Sequence, residues 1–421
     1  MNTQKLTRQI GVAMLLGVLV GYLCHSFSTD AQAAKDIAGY FSIVTDIFLR
    51  MIKMIIAPLV FATLVTGVAS MGDASAVGRI GLKAMLWFIC ASVASLLLGM
   101  ALVNLFEPGN HMQLVLPDAA ASAGLKTADL NLRGFITHVF PKSIAEAMAG
   151  NEILQILVFS LFFGAALGFV KGQGHTAFDK CIDELARIMF RITDYVMRLA
   201  PIGVFAAMAA VITVQGLGVL LSYGKLISEF YLGLALLWGL LLAVGYLFLG
   251  KSVGELLKHI REPIMLAFST ASSESAYPKT IDSLEKFGVP KRISSFVLPL
   301  GYSFNLDGSM MYQAFAVLFI AQAYNINLSF TQQLVLLLVL MVTSKGMAGV
   351  ARASLVVVAA TLPMFHLPEA GLLLIMGIDQ FFDMGRTATN VLGNSLATAV
   401  VAKLEGEQNP QEIVQPAEAR T

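Results

Sequence analysis

Six long apolar stretches follow one another through the first 250 residues, at roughly 8–26, 41–70, 80–106, 151–171, 185–214 and 224–250. About twenty predominantly apolar residues cross the hydrocarbon of a bilayer as a helix, so each run predicts one spanning segment. Lys5/Arg8, Arg79/Lys83, Lys171/Lys180 and the Lys251–Arg261 cluster flank alternate ends of these runs. Basic residues concentrate on the cytoplasmic side, which places the N-terminus in the cytoplasm. Another apolar segment begins at Phe41, where a cleaved leader would precede a soluble domain, so the first run reads as a retained helix. Pro58 predicts a kink in the second run. Residues 107–150, carrying Pro108, Gly109, Pro117, Asp118 and Pro141, form the longest polar interruption and predict an extracytoplasmic loop. From Gln408 onward the chain is polar and predicts a disordered tail.

Beyond residue 250 the pattern changes. Residues 253–288 read as an apolar arm, a small polar tip (Ser269-Thr-Ala-Ser272-Ser273-Glu274-Ser275) and a second arm after Pro278. Residues 331–366 repeat the plan, with arms 331–343 and 350–362 around the tip Thr343-Ser344-Lys345-Gly346-Met347-Ala348-Gly349. Arms of about a dozen residues are too short to span, which predicts two re-entrant hairpins. Each is followed by an interrupted or polar span: 291–324, broken at Asn305-Leu306-Asp307-Gly308-Ser309, and 371–403. Non-helical backbone at membrane depth survives only where it is buried or lines a cavity. Two such units in corresponding positions point to an inverted-repeat transporter with a central site.

The last span carries the sharpest chemistry. Asp379, Asp383, Arg386, Asn390 and Asn394 recur at spacings of four, three, four and four. At about 100° per residue they share one stripe within an arc of roughly 80°. Two carboxylates and a guanidinium in hydrocarbon cost several kcal/mol unless they face a cavity, a partner or a ligand. An arginine offers a planar fork for a carboxylate, Asp383 an acceptor for an ammonium, and Asn390 both a donor and an acceptor. Such a stripe suits a small zwitterion or dicarboxylate. Ser272 and Ser273 can offer hydroxyls and backbone N–H groups to an anion. Glu274 beside them is a candidate proton carrier, because a re-entrant loop withdraws the water that favours its charged form. Lys345 in the second tip is either a snorkelling lysine or a fixed positive charge in the site.

Composition narrows the class. Hydrophobic residues make up 57% of the 421 and charged residues 13%, against about a quarter charged in ordinary soluble domains. A net charge of +1 gives no support to a nucleic-acid partner. The three cysteines and six histidines show no ligand spacing, so neither a metal centre nor a cofactor is expected. No nucleophile–base–orienter set appears, so the chain does not read as an enzyme. A channel would need polar residues lining a through-path, and two dead-ended hairpins meeting at mid-membrane describe a carrier instead.

These motifs together resemble the dicarboxylate/amino acid:cation symporter family, which holds the excitatory amino-acid transporters and bacterial glutamate, aspartate and C4-dicarboxylate carriers. The resemblance rests on Leu49-Arg50-Met-Ile-Lys53-Met-Ile-Ile-Ala-Pro58-Leu-Val-Phe61, Ala200-Pro-Ile-Gly-Val-Phe205, the serine-rich tip, Asn305-Leu-Asp-Gly-Ser309 and Asp383-Met-Gly-Arg-Thr387, and covers about residues 8–405. The pattern is most similar to bacterial proton–glutamate/aspartate symporters. It implies an all-α polytopic membrane protein with eight transmembrane helices and two re-entrant hairpins, assembled as an elevator-type homotrimer in a bacterial-type inner membrane, both termini cytoplasmic. Residues 1–78 would carry scaffold spans 1 and 2, 79–106 span 3 of the transport unit, and 107–214 the loop and scaffold spans 4 and 5. Residues 215–405 would complete the transport unit with span 6, hairpin 1, span 7, hairpin 2 and span 8, leaving 406–421 as the tail. By resemblance, Arg386 would grip a substrate side-chain carboxylate and Asp383 its ammonium. Asn390, Ser272, Ser273 and the backbone near Val350 would hold the α-carboxylate. Thr387 and Ser309 would line the pocket, and Asp379 would support Arg386 from behind.

Asp383 bears on the substrate. A C4-dicarboxylate lacks an ammonium and would face an unpaired carboxylate, and members specialised for such substrates usually lack this Asp. Neutral-amino-acid members usually lack the arginine. Glutamate or aspartate is therefore the expected substrate. Sodium-driven relatives normally have an acid where Asn394 stands, Met where Leu306 stands, and Tyr and Thr where Phe88 and Ala91 align. Loss of a carboxylate and two hydroxyls weakens sites for a hard cation, although Asn305 and Asp307 remain. Glu274 and Lys345 are gained at the tips. The expectation is proton coupling, with sodium coupling or a proton-coupled C4-dicarboxylate symporter as the alternatives.

Overall fold

A computed structural model describes residues 3–71, 74–111, 137, 139–172, 177–217, 223–344, 353–376 and 378–407. Every regular element among them is helical. The first group comprises α1 (Thr3–Phe27), α2 (Ala31–Met71), α3 (Ala74–Phe106), α4 (Ile153–Gly172), α5 (Ala177–Met197), α6 (Ala200–Gln215) and α7 (Gly224–Leu249). Then follow α8 (Ser252–Thr270), α9 (Ser273–Phe287), α10 (Lys291–Phe304), α11 (Asp307–Ala323), α12 (Phe330–Thr343), α13 (Ala353–Thr361) and α14 (Asp379–Leu404). Among the described residues, five single helices are long and apolar enough to cross a membrane: Arg8–Phe27, Ala31–Ala69, Ser75–Asn110, Ile153–Val170 and Gly224–Leu249. They fall on the first, second, third, fourth and sixth predicted runs.

The fifth run differs. Residues 185–214 read as one span, but the chain bends by 52° between α5 and α6. Pro201 sits in the first turn of α6. It lacks an N–H, and its ring obstructs the preceding turn, so a new helix starts there. The second run also begins earlier than expected, because Asp30 caps it: Ala33 N donates to Asp30 Oδ1 at 2.8 Å. With 41 residues α2 is about 60 Å long.

The first hairpin has longer arms and a shorter tip than expected. The arms α8 and α9 hold 19 and 15 residues. Their turn is Ala271 in the left-handed conformation (φ 48°) followed by extended Ser272. Ser272 Oγ accepts from Ser275 N at 3.3 Å, so Ser273, Glu274 and Ser275 form the first turn of α9 rather than loop. The small tip of the second hairpin, Lys345–Gly349, lies outside the described residues, as do Val350 and the tail beyond 407. Residues 112–136 of the predicted long loop lie outside them too.

Helices α1, α2, α4, α5 and α6 pack on one another, and α3 and α7–α11 gather around α14. The two sets meet mainly where α10 lies on α2, at Gly67, whose missing side chain admits Ser295 and Arg292. At one end of α14, the side chain of Glu405 is 2% exposed and is clasped by the more exposed Arg79 through Nε and Nη2 at 3.0 and 2.8 Å and by Lys83 Nζ at 2.6 Å. Lys83 Nζ also donates to the terminal carbonyl of Leu404 at 2.9 Å, where the helix dipole favours a cation. Arg79, followed by Lys83, holds the Glu405 carboxyl below the usual carboxylate range.

Glu405→Gln is expected to lower stability by about 1–2 kcal/mol, the worth of a networked partly exposed cluster, read from thermal unfolding in detergent. The stabilisation should be complete above the ordinary glutamate value of 4.5 and lost as pH falls below it through the depressed value. An unchanged melting temperature at neutral pH contradicts the clasp.

Candidate functional site

The site forms where a broken helix lies against α14. Asn305 (φ −129°, ψ 69°) and Leu306 (φ −102°, ψ 66°) leave the helical region, separating α10 from α11 as the Asn-Leu-Asp-Gly-Ser pattern predicted. Three glycines permit the close approach. A side chain at Gly308 would run into the backbone of Arg386, one at Gly393 into the Asp307 carboxylate, and one at Gly301 into the Asn394 amide. The freed N–H groups at the start of α11 find a side-chain acceptor across the gap. Gly308 N and Ser309 N donate to Asn390 Oδ1 at 2.9 and 3.3 Å, and Asn390 Nδ2 donates to Ser309 Oγ at 3.1 Å. Asn390 thus pins the break to α14, a task the sequence reading did not assign to it.

One helical turn away lies the charged cluster. Arg386 is fully buried, yet three of its N–H groups are bonded: Nε to Asp383 Oδ1 at 2.8 Å, Nη1 to Asp379 Oδ1 at 2.8 Å and Nη2 to Asp379 Oδ2 at 3.4 Å. A guanidinium has five such donors, so two remain. Thr387 Oγ1 donates to Asp383 Oδ1 at 3.1 Å. The two carboxylates differ in access, the side chain of Asp379 being 1% and that of Asp383 18% exposed. Asp379 therefore backs Arg386, and Asp383 keeps an open edge. Tyr312 of α11 completes the cluster. Its hydroxyl donates to Asp379 Oδ1 at 2.9 Å, and its ring lies 4.3 Å beneath the guanidinium carbon. The sequence reading missed Tyr312. The available signal was its position one turn after Ser309 in an apolar helix, where a phenol needs a partner.

Asn305, Asp307 and Asn394 make a separate buried patch further along α14. Asn305 Nδ2 donates to Asp307 Oδ2 at 3.0 Å and to Asn394 Oδ1 at 3.2 Å. Asn305 Oδ1 and Asn394 Nδ2 find no hydrogen-bond partner among the described residues. Phe88 is buried and reaches within 3.3 Å of the same point beside Gly301 that Asn394 fills. A ring, not a hydroxyl, faces the patch from α3.

The first hairpin packs on α14 through Ala267 and Ala276 against Val391, the neighbour of Asn390. Ser272 and Ser273 form the tip about one helical turn beyond this contact. Ser272 Oγ is used as the cap of α9, while Ser275 Oγ bonds Thr270 Oγ1 and Ser272 O. Glu274 is half-buried, and its charged neighbours are Lys53 of α2 and Glu152, with Tyr302 of α10 also near it. The structure thus gathers Asp379, Asp383, Arg386, Thr387, Asn390, Ser309 and Tyr312, sets Asn305, Asp307 and Asn394 beside them, and separates Glu274. Lys345 and Val350 lie outside the described residues.

Long apolar helices around a buried charged centre built on a broken helix define a membrane transporter. The chain belongs to the sodium:dicarboxylate symporter family, whose model matches residues 6–404. It is similar to the proton/glutamate-aspartate symporter of Escherichia coli (39% identical over 408 residues, 95% of this chain and 93% of that protein). It is also similar to the C4-dicarboxylate transport protein of Pseudomonas savastanoi pv. phaseolicola (41% over 410 residues, 96% and 87%). A third relative, the proton/sodium-glutamate symport protein of Bacillus caldotenax, is 39% identical over 409 residues, 96% of this chain and 95% of that protein. The protein is an integral membrane symporter and not an enzyme.

Tyr312→Phe should cost about 1 kcal/mol by deleting one hydrogen bond to a carboxylate while keeping the ring. Tyr312→Leu should cost about 2 kcal/mol more by removing the desolvated cation–π contact. Thermal unfolding in detergent compares them, and equal melting points for the two variants refute the ring's role.

Proposed function

We propose that the protein is a secondary active symporter that imports L-glutamate or L-aspartate with protons across a bacterial-type inner membrane. The observation that carries this reading is the unequal pair of carboxylates around Arg386. Asp379 neutralises part of the guanidinium from the buried side, and two N–H groups, one on each terminal nitrogen, remain for charge-assisted hydrogen bonds to a substrate carboxylate. Asp383 commits Oδ1 to Arg386 and Thr387 and keeps Oδ2 for an ammonium. A carboxylate grip and an ammonium acceptor side by side fit an acidic amino acid. Asn390 keeps one N–H for the α-carboxylate, beside Ser272, Ser273 and the backbone near Val350, while Thr387 and Ser309 line the pocket.

Proton coupling is supported by what surrounds Asn394. An amide and the Phe88 ring occupy positions where sodium-driven relatives carry a carboxylate and a hydroxyl, and a hard cation wants such oxygens. Glu274 is the proton carrier in this reading, and Lys345 supplies a tethered positive charge. Glu274 sits near Lys53, where α9 meets α2, so its charge would be felt by any sliding of one helical set against the other. The two packed sets fit a scaffold (α1, α2, α4–α6) and a transport unit (α3, α7–α14). The transport unit moves as an elevator within a homotrimer, with α8–α9 and α12–α13 as re-entrant hairpins and both termini cytoplasmic. A second reading is proton-coupled C4-dicarboxylate transport, whose substrate is the one in the name of relatives called C4-dicarboxylate transport protein at 40–41% identity, and Asp383 separates the two.

Purified protein in liposomes, given labelled glutamate, aspartate and succinate under separate Na⁺ and pH gradients, tests the proposal. Concentrative glutamate or aspartate uptake driven by the pH gradient without Na⁺ is expected; strict Na⁺ dependence overturns proton coupling, and succinate preference overturns the substrate. Arg386→Ala should reduce acidic-substrate uptake at least a hundredfold, the loss of a buried charge-assisted contact of about 3 kcal/mol. Asp383→Asn should lose glutamate while sparing succinate. Glu274→Gln should lose response to pH, and an unaltered pH profile removes Glu274 from the mechanism.

A further inference from the structure

Away from the transport site, α1 and α6 form a second feature with its own chemistry. Gly17 and Gly21, a Gly-x-x-x-Gly pair on α1, bring the helix against Phe205, Met208, Ala209 and Ile212 of α6 so closely that no side chain fits between. His25 Nδ1 within 2.9 Å of Thr213 O closes that end. Toward the other end the helices leave a cavity of about 550 Å³, lined by Arg8, Gln9, Val12, Ala13 and Leu16 of α1 and by Arg198 and Pro201 at the α5–α6 bend. One end is cationic and the wall is apolar, with Val12 and Leu16 half exposed.

Arg8 and Arg198 make no ion pair with any acid among the described residues. Two like charges that face one cavity are stabilised by an anion between them. The surroundings fit a membrane surface. Helix α5 buries Ile182, Ala186, Val196 and Met197 and turns Arg187 and Arg191 outward beside the acidic Asp183, Glu184 and Asp194, while Arg198 stands exposed just beyond its end. Arg191 and Arg198 both stand over the exposed Tyr195 ring, at 5.1 and 5.7 Å, an amphipathic aromatic suited to headgroup depth. The N-terminal end of α6 adds its positive dipole. Basic pockets between membrane helices hold anionic headgroups, and the volume falls in the range of small-molecule sites, roughly 300–1,000 Å³.

We propose that this groove binds one anionic phospholipid, its phosphate between Arg8 and Arg198 and an acyl chain along Val12 and Leu16. The site is independent of the substrate and of the coupling ion. A lipid wedged there bridges α1 to the α5–α6 bend.

Native mass spectrometry of the full-length protein, titrated with phosphatidylglycerol, phosphatidylcholine or inorganic phosphate, tests the assignment. Phosphatidylglycerol should bind about thirtyfold more tightly than phosphatidylcholine, from two basic contacts, and the R8Q/R198Q double variant should erase the difference. Arg187→Gln, whose guanidinium pairs with Asp183 at 3.0 Å outside the groove, should leave it intact. Both groove arginines are exposed, so the double variant is expected to elute as the native protein does. Equal binding of the two lipids, full retention by the double variant, or an equal loss in Arg187→Gln overturns the proposal. Displacement of bound lipid by inorganic phosphate at equal concentration makes the groove a site for an adventitious ion only and overturns it too.

Discussion

A guanidinium with no access to water governs the interior of this protein. Removing Arg386 from solvent costs many kcal/mol before compensation, and breaking a buried pair typically costs about 3–5 kcal/mol. Two carboxylates within two turns of α14 and the Tyr312 ring of α11 close on it, and the Tyr312 hydroxyl holds Asp379 in place. That compensation is arranged on one side. Asp379 and Tyr312 are withdrawn from the surface, while Asp383 keeps an edge open. The asymmetry leaves a fixed charge that is held in place without being fully satisfied, which is how a binding centre is preorganised.

The rest of the core serves that placement. Helix α14 is enclosed on nearly every face, so the polar stripe cannot reach water by rotating. Its neighbours approach closely because glycines occupy the contact points, and the backbone freed at Asn305–Leu306 is satisfied by Asn390 rather than by solvent. Trp238 Nε1 donates to Thr389 Oγ1 at 2.8 Å and Tyr231 OH to Phe381 O at 2.8 Å, so α7 fixes the opposite side. Interrupted backbone and buried charge therefore stabilise one another. The break creates donors that α14 accepts, and α14 carries charges that α11 covers.

The outer helices follow a different rule. In α1, α2 and α6 few charges are buried, and small residues set the distances, as Gly17 and Gly21 do against α6. Where α5 meets α6 a proline breaks the path, and Arg191 and Arg198 stand over the Tyr195 ring there. Glu274 stands where the two rules meet, on the edge of the first hairpin near Lys53 of α2.

Period and composition alone determined much of this. Five of six apolar runs became single spanning-length helices, the two-armed plan of 253–288 and the break at Asn305 were legible, and the spacing of Asp379, Asp383, Arg386, Asn390 and Asn394 marked one face of one helix. These are local properties, since a 3.6-residue period and a turn-forming triplet act on neighbours in sequence. Tertiary structure decided the partners. It set Tyr312 under Arg386, turned Asn390 toward the start of α11, placed Phe88 beside Asn394 and brought Glu274 near Lys53 of α2. The break of the fifth run beside Pro201, by contrast, was a local signal that the run's apolar length concealed. Residues about seventy or more positions apart meet only when the packing of whole helices is settled, and no periodicity along the chain encodes that.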